Sequence, residues 1–274
     1  MRFLGQKYCN RRKKIMKVLI CTDMEGISGV YDKDQCVPES PLYQSGRERL
    51  MADTNVAVKA AFDAGAEKVY VVDGHHHGCN FIKGALDPRA TQVWVKDMAW
   101  AIKDVDAAVI VGQHAMSGTM NAFIDHTMMS ERVHHYRYDG ERVGEFMIVA
   151  TFCGYFGVPL VALTGDDAAC DEAINSIAGI TVASVKKANG RNKAICIPEK
   201  EAEKRIYEAV KAGIENRDNV KPVKRKIPFT VSIEYNRSDY CEQAIAENPK
   251  FHRVDAYTAS RVVDGEIVSY YDVL

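Results

Sequence analysis

The stretch KVLICTDMEG, residues 17–26, decides the fold class. Residues 17–22 are mostly apolar or β-branched, which is typical of a buried β-strand. Asp23 and Glu25 follow at once, and Gly26 lets the backbone turn away from the strand. Residues two apart in an extended segment face the same side, so the two carboxylates point into one crevice at the carboxyl end of the strand. A helix cap is the alternative interpretation of this acidic segment taken alone.

Short apolar runs alternate with amphipathic segments along the amino-terminal part of the chain. The other strand-like runs are 68–72, 107–111 and 159–163. Between the first two strands an apolar or small residue recurs at every fourth position, as in a helix: Leu50, Thr54, Val58 and Phe62. This alternation predicts an α/β fold with a mainly parallel sheet flanked by helices. Asp139-Gly140 between two strand-like segments predicts an antiparallel hairpin insert.

Composition and charge narrow the class of protein. The 36 basic residues nearly balance the 37 acidic ones, so no overall field favours nucleic acid or an anionic membrane as a partner. The eight cysteines include no CxxC pair, which is typical of reduced thiols in a cytoplasmic protein. The basic run 11–14 resembles the start of a signal peptide, but Lys17 interrupts the apolar stretch that follows it. We therefore expect a cytoplasmic protein with no nucleic-acid partner and no membrane partner.

The histidines are concentrated in one part of the chain. Seven of the eight lie between residues 75 and 135, and His75, His76 and His77 form a run after the second predicted strand. The third strand ends at His114. Because the carboxyl ends of parallel strands meet at one edge of a sheet, we expect these histidines to lie near the acidic residues that follow the first strand.

Carboxylates and histidines at the ends of four elements together predict a metal site. The last of these residues in the sequence is Glu145, which begins an apolar helix just after the predicted hairpin. Two histidines and three carboxylates suit two zinc ions that share a bridging carboxylate and lie ~3.5–4 Å apart. We also expect Asp73 to orient the ligating ring that follows the second strand. The predicted ligands are Asp23, Glu25, His75, His114 and Glu145.

His126, in the segment Asp125-His126-Thr127, is the candidate catalytic residue. A histidine outside the ligand set can act as a nucleophile, carry a proton or stabilise a developing oxyanion. A histidine that is satisfied by local hydrogen bonds is the alternative interpretation of this residue.

With these residues in view, the chain resembles the DppA-type D-aminopeptidases, a family of dinuclear zinc peptidases. The similarity extends from about Met16 to near Tyr270. The most specific segments are Asp-Met-Glu-Gly-Ile-Ser-Gly at 23–29, Asp-x-His at 73–75, Gly-x-His-Ala at 112–115, the histidine at 126, Val-Gly-Glu at 143–145, Gly-Asp-Asp at 165–167 and Val-Lys at 185–186. Their order and spacing carry the resemblance.

The resemblance implies two zinc ions per subunit, with Asp23 as the ligand that bridges them. It implies that Glu25 and His75 complete one zinc site. It also implies that His114 and Glu145 complete the other. These assignments come from the family and agree with the ligands that the strand ends predict.

The resemblance further implies an activity and an assembly. His126 matches the active-site histidine of the family. The implied reaction is zinc-dependent release of an N-terminal residue, typically a D-amino acid, from short peptides, and the implied assembly is a large ring-like homo-oligomer, a decamer. His76 and His77 follow the ligand histidine, so on the residues alone either one could replace it or recruit further metal.

Beyond the last predicted strand of the main sheet the pattern of the sequence changes. A long charged amphipathic helix at 199–216 and a Pro/Lys-rich link at 221–228 indicate a smaller α/β subregion. We therefore divide the chain into an N-terminal extension with no assigned role, residues 1–15, and a metal-binding α/β catalytic region, residues 16–165. The remaining residues 166–274 form the second subregion, which packs against the first and aids oligomerisation.

Two other functions stay open on the sequence alone. A deacylase or phosphoesterase can use the same dinuclear core, although a phosphoesterase would gather basic residues around the metals, and near the predicted ligands we find chiefly Arg132 and Arg137. A non-catalytic protein that only sequesters metal is the second alternative. It would make His126 irrelevant to every assayable property.

Overall fold

Strands and helices alternate along the chain. The computed structural model describes residues 15–274, so the predicted extension 1–15 lies outside the described residues except for Ile15. The strands are β1 (Lys17–Thr22), β2 (Lys68–Asp73), β3 (Thr91–Val93), β4 (Ala107–Gln113), β5 (Val133–Tyr138), β6 (Glu141–Arg142), β7 (Leu160–Asp166), β8 (Thr181–Ala188), β9 (Ala194–Cys196), β10 (Phe229–Tyr235), β11 (His252–Arg253) and β12 (Thr258–Val263). The α-helices are α1 (Tyr43–Asp63), α2 (Met98–Ile102), α3 (Glu145–Tyr155), α4 (Asp167–Ser176), α5 (Glu199–Glu215) and α6 (Ser238–Glu247).

The main sheet has seven strands in the order β3-β2-β1-β4-β7-β8-β9. Neighbouring strands are parallel except for β8 and β9, which pair antiparallel at one edge. The central strands β1, β4 and β7 are buried along almost their whole length, which explains their continuous apolar sequences. Helices α1 and α5 pack side by side on this sheet. The predicted α/β fold with a mainly parallel sheet flanked by helices is confirmed.

A second sheet is antiparallel, with the order β11-β12-β10-β5-β6. Its β5–β6 hairpin turns at Asp139 and Gly140, whose φ angles of 49° and 84° suit a two-residue turn. The predicted hairpin is confirmed, and it forms the edge of a larger sheet because β5 also pairs with β10. The division of the chain after residue 165 stays a prediction. Strands β8 and β9 follow that point and extend the main sheet, whereas β10, β11 and β12 build the second.

The strand order places a crevice at the carboxyl ends of β1 and β4. The chain crosses through α1 from β1 to β2 on one side, and β4 lies on the other side of β1. At such a switch point the loops that follow the two central strands diverge and leave room for a ligand. Asp23 follows β1 and His114 follows β4, so the fold brings these two residues to the crevice.

Two glycines allow the loop after β1 to lie against the end of β4. Gly112 has a φ of 83°, and a Cβ atom there would lie 2.4 Å from the carbonyl oxygen of Asp23. A Cβ atom on Gly26 would lie 2.1 Å from the carbonyl oxygen of Gln113. A larger residue at either position would therefore push the loop away from β4.

Two buried charged side chains hold the same loop from other elements. Lys186 of β8 donates hydrogen bonds of 2.6 Å to the carbonyl oxygens of Glu25 and Val30. Asp53 of α1 accepts hydrogen bonds of 2.7 and 2.6 Å from the amide and the hydroxyl of Ser28. Burial lowers the pKa of Lys186, and it raises the pKa of Asp53 to about 6. Hydrogen bonds from these two side chains thus fix the position of the loop after β1.

The raised pKa of Asp53 predicts a pH dependence of stability. A carboxyl whose pKa is about 6 in the folded chain and 3.8 ordinarily stabilises the fold fully below pH 3.8 and loses that contribution as the pH rises through 6. We expect the free energy of unfolding of the natural sequence, relative to that of Asp53→Asn, to fall by roughly 2–3 kcal/mol between about pH 4 and pH 7. Chemical denaturation at several pH values measures this difference.

The control for this experiment is Asp218→Asn, because the side chain of Asp218 is 87% exposed. Any constant cost of replacing a carboxylate by an amide cancels when only the change with pH is compared. The prediction would be contradicted if the free energies of unfolding of the natural sequence and of Asp53→Asn changed by the same amount with pH.

Candidate metal centre

The carboxylate of Asp23 lies between two histidines at the carboxyl end of β1. Its Oδ1 atom lies 3.3 Å from His75 Nδ1, and its Oδ2 atom lies 3.3 Å from His114 Nε2. Glu25 places Oε2 at 3.2 Å from His75 Nδ1. Glu145, the first residue of α3, places Oε1 at 3.4 Å from His114 Nε2. These five residues form two half-sites that share Asp23.

His126 lies beside the half-site of His114. The two imidazole rings stack with their centroids 3.9 Å apart and their planes 10° apart. His126 Nε2 lies 3.7 Å from Glu145 Oε1. His114, His126 and Glu145 can each offer one atom so that all three atoms lie within 4.8 Å of one another. The structure thus brings all six sequence-predicted site residues together, and the place of His126 is compatible with a catalytic group or with a further ligand.

A backbone carbonyl fixes each of the three histidines. One ring nitrogen contacts the carbonyl oxygen, and the other nitrogen faces the carboxylates. The contacts are His75 Nε2 with Cys36 O at 3.1 Å, His114 Nδ1 with Ala115 O at 2.9 Å, and His126 Nδ1 with Ile124 O at 2.8 Å. A neutral ring held in this way donates its proton to the carbonyl and presents a lone pair to the cluster, which is the usual arrangement of metal-ligating histidines.

The histidines also balance the buried negative charge. Burial alone would lower the pKa of His75 and His114. The carboxylates that face them, Glu25 for the first ring and Glu145 for the second, instead raise both pKa values well above the ordinary one. Burial would raise the pKa of Asp23, but the close contacts with the rings of His114 and His75 hold it well below its usual range. In the metal-free protein, protons on the rings therefore offset the carboxylates, and a divalent cation could replace those protons.

Two buried polar atoms in the cluster, Glu25 Oε2 and His114 Nε2, lack a hydrogen-bond partner in the described part of the chain. Each lies within 3.4 Å of a charged neighbour without forming a hydrogen bond to it. Leaving such an atom unsatisfied costs about 1–3 kcal/mol. A cation coordinated by both half-sites would satisfy these atoms, and imidazole nitrogens with carboxylate oxygens are a donor set that zinc accepts. The residues present therefore fit a zinc centre.

Of the histidine run after β2, His75 is the ring that reaches the carboxylates. His76 and His77 are exposed, and their ring centroids lie 4.0 Å apart. The expectation that Asp73 orients the ligating ring is wrong. Asp73 accepts hydrogen bonds of 2.6 and 2.8 Å from the amide and the side chain of Asn80, so it fixes the loop that follows β2. A backbone carbonyl orients His75 in its place.

Sequence analysis missed the side chains that hold the loop carrying His126. Asp166, at the end of β7, accepts a hydrogen bond of 3.0 Å from the amide of Phe123. Glu172 of α4 accepts one of 2.6 Å from the hydroxyl of Thr119. Burial raises the pKa of both acids. The Gly-Asp-Asp segment stands out in the sequence, but only the path of the loop shows which residue it supports.

Similar proteins are known for almost the whole chain. A family model described as D-aminopeptidase matches residues 16–273. The D-aminopeptidase of Bacillus subtilis (strain 168) is 30% identical over 235 residues, which cover 84% of this chain and 85% of that protein. A solved structure described as the Zn-dependent D-aminopeptidase DppA from Bacillus subtilis, a self-compartmentalizing protease, matches with a TM-score of 0.87 at 27% identity, covering 94% of this chain and 95% of its own. The predicted resemblance is confirmed.

Removal of His114 tests the metal centre. We expect His114→Ala to lower the affinity for Zn²⁺ by more than about 100-fold, because loss of a group that only supports a ligand already costs about 10–100-fold. Metal analysis and calorimetric titration of the metal-free protein measure the effect. The matched control is His134→Ala, since His134 is exposed on β5. Full zinc content with unchanged affinity in His114→Ala would contradict the assignment.

Proposed function

The chain belongs to the D-aminopeptidase family, and on that premise we propose that it removes N-terminal D-amino acids from short peptides at a centre of two zinc ions. It is a zinc-dependent aminopeptidase, as the sequence predicts. The observation that carries the two-ion centre is the carboxylate of Asp23, which presents one oxygen to His75 and the other to His114. A carboxylate that bridges two cations needs this arrangement, with a separate set of ligands at each oxygen.

We assign one zinc ion to each half-site. Glu25 and His75 would hold the first ion, and His114 and Glu145 would hold the second, with Asp23 shared. The fixed orientation of the rings supports this assignment, as do the two buried polar atoms that lack a hydrogen-bond partner among residues 15–274. When bound, zinc supplies a Lewis acid that polarises the scissile carbonyl and lowers the pKa of a coordinated water.

The residue that moves the proton in this proposal is His126. Its Nδ1 donates to the carbonyl oxygen of Ile124, which leaves Nε2, 3.7 Å from Glu145 Oε1, free to accept a proton from the attacking water. The ring then passes this proton to the departing amine as the peptide bond breaks. Once protonated, the same ring stabilises negative charge that develops on the scissile carbonyl oxygen. Stacking on His114 keeps the ring in place for both tasks.

The other hydrolase classes fit the surroundings of the centre less well. Of the described side chains that line the two cavities next to it, Arg132 is the one with a permanent positive charge. A phosphoesterase would need more positive charge close to the metals to bind its substrate. A purely metal-sequestering role leaves the stacked and oriented ring of His126 without a purpose.

We further propose a ring-like homo-oligomer, a decamer, in the cytoplasm. The similarity to a structure described as a self-compartmentalizing protease supports the assembly. All seven cysteines within the described part of the chain are free, which suits a reducing compartment. Among residues 15–274, no helix combines the length and the apolarity needed to cross a lipid bilayer.

A small substrate panel tests the reaction. We expect cleavage of D-Ala-D-Ala, loss of that cleavage after chelation and recovery when Zn²⁺ is returned. L-Ala-L-Ala, an N-acetylated D-Ala peptide and a phosphoester should not react, because the proposed site takes a free amino end and a D-residue. Chelator-sensitive cleavage of the acetylated peptide would instead indicate a deacylase or an endopeptidase.

The variant His126→Ala separates catalysis from metal binding. We expect it to retain zinc and to lose roughly 10²–10⁴-fold in kcat, which is the usual contribution of a positioned proton-transfer group. Steady-state kinetics on D-Ala-D-Ala together with metal analysis measure both quantities, and His134→Ala is again the control. Turnover equal to that of the natural sequence would rule out the catalytic role of His126.

A further inference from the structure

Two cavities of different character meet at the metal centre, and Asp23 and Glu145 line both of them. One has a volume of about 310 Å³, and its walls are mostly apolar: Val72, Met98, Ile110, Val149, Tyr270 and Leu274. The other has a volume of about 520 Å³ and carries charged and polar groups that include Glu39, Ser130, Glu131 and Arg132. The centre therefore lies at the junction of an apolar space and a polar one.

Rigid elements form the walls of the apolar cavity. Met98 begins α2, and Ile110 lies in the middle of β4, and both are almost fully buried. Val149 lies one helical turn after Glu145 on α3, so the side chains of these two residues share one face of the helix. The position of the cavity relative to the metal ligands is therefore set by α3 and the main sheet.

Part of the wall of the apolar cavity comes from Tyr270 and Tyr271 of the 3₁₀ turn Tyr270–Val273 and from the next residue, Leu274. The hydroxyl of Tyr138 donates a hydrogen bond of 2.5 Å to the carbonyl oxygen of Val273. The buried side chain of Arg261 donates one of 2.7 Å to the carbonyl oxygen of Leu274. Tyr270 itself packs edge-on against Phe152, with ring centroids 5.6 Å apart. Neighbouring side chains thus hold this part of the wall in place.

We propose that the apolar cavity binds the side chain of the substrate's N-terminal residue and selects large uncharged side chains, of leucine or phenylalanine size, over alanine. This inference rests on the proposed aminopeptidase activity. An aminopeptidase holds a single residue on the amino side of the scissile bond, and an apolar cavity of limited volume beside the metal centre suits the side chain of that residue. The polar cavity then takes the remainder of the peptide.

The size and the chemistry of the cavity determine the preferred side chain. An apolar cavity of about 150 Å³ holds benzene, so a space of about 310 Å³ accommodates a phenyl or an isobutyl group. The methyl group of alanine would leave most of this apolar wall uncovered. Among the described residues no lysine or arginine lines the cavity, and its two acids, Asp23 and Glu145, belong to the metal centre. The other polar side chains of the cavity include Thr22, His76, His77 and Gln113, and none of these carries a permanent charge that would offset the lost hydration of a charged substrate side chain.

The first test compares three peptides that differ only in their N-terminal side chain: D-Ala-D-Ala, D-Leu-D-Ala and D-Phe-D-Ala. We expect kcat/KM of the zinc-loaded enzyme to be at least about tenfold higher for the two larger residues, because even one methylene in a fitted apolar pocket is worth about tenfold or more. Cleavage of D-Ala-D-Ala at an equal or higher rate overturns the pocket and leaves the proposed function intact. Cleavage of none of the three overturns the proposed function itself.

The second test changes the volume of the cavity. We expect Val149→Phe to lower the ratio of kcat/KM for D-Leu-D-Ala over D-Ala-D-Ala by at least about tenfold. Val149→Ala enlarges the cavity and should raise kcat/KM for D-Phe-D-Ala relative to kcat/KM for D-Leu-D-Ala. The matched control is Val254→Phe, because Val254 is exposed outside the cavity. Thermal midpoint and zinc content identify the folded, loaded variants. If Val149→Phe fails to fold, the ratio of kcat/KM for D-Phe-D-Ala over D-Leu-D-Ala in Val149→Ala tests the proposal. Unchanged ratios in any folded Val149 variant overturn the proposal.

Discussion

The site depends on one shared carboxylate. Asp23 faces His75 with one oxygen and His114 with the other, so its position fixes the separation of the two half-sites. That position depends in turn on backbone packing. The loop after β1 can reach the end of β4 only because Gly26 and Gly112 carry no side chain. Lys186 then holds the carbonyl oxygens of the same loop from β8. A few close backbone contacts therefore set the geometry of the whole centre.

The sequence predicts the parts of the molecule that follow from local pattern. The continuous apolar runs of β1, β2 and β4 identify the centre of the main sheet, since parallel strands covered on both faces are apolar throughout. The convergence of Asp23, His75 and His114 then follows from topology, because the carboxyl ends of neighbouring parallel strands lie at one edge. The left-handed turn at Asp139-Gly140 is likewise local, and its hairpin is visible in the sequence.

The remainder depends on contacts that no local pattern records. Arg137 of β5 lies opposite β10 and pairs with Glu234, which is 97 residues away, so the extent of the second sheet is hidden in the sequence. The carbonyl of Cys36 orients His75, and a backbone atom leaves no trace in residue identity. Asp73 stands next to the ligand loop and suggests a role in orienting the ring, yet its bonds go to Asn80. At each of these positions the contacts in the folded structure are with residues that the neighbouring sequence does not identify.

The distance along the chain between the proposed ligands has a consequence for the order in which the centre forms. Asp23 and His75 are 52 residues apart, and they meet only after β1 and β2 have paired. An unfolded chain therefore does not gather the residues of the two half-sites into one local cluster, in contrast to a zinc finger, where the metal organises the fold. Long-range parallel pairing is slow compared with local folding. The complete centre can accordingly form only after β1 has paired with both β2 and β4.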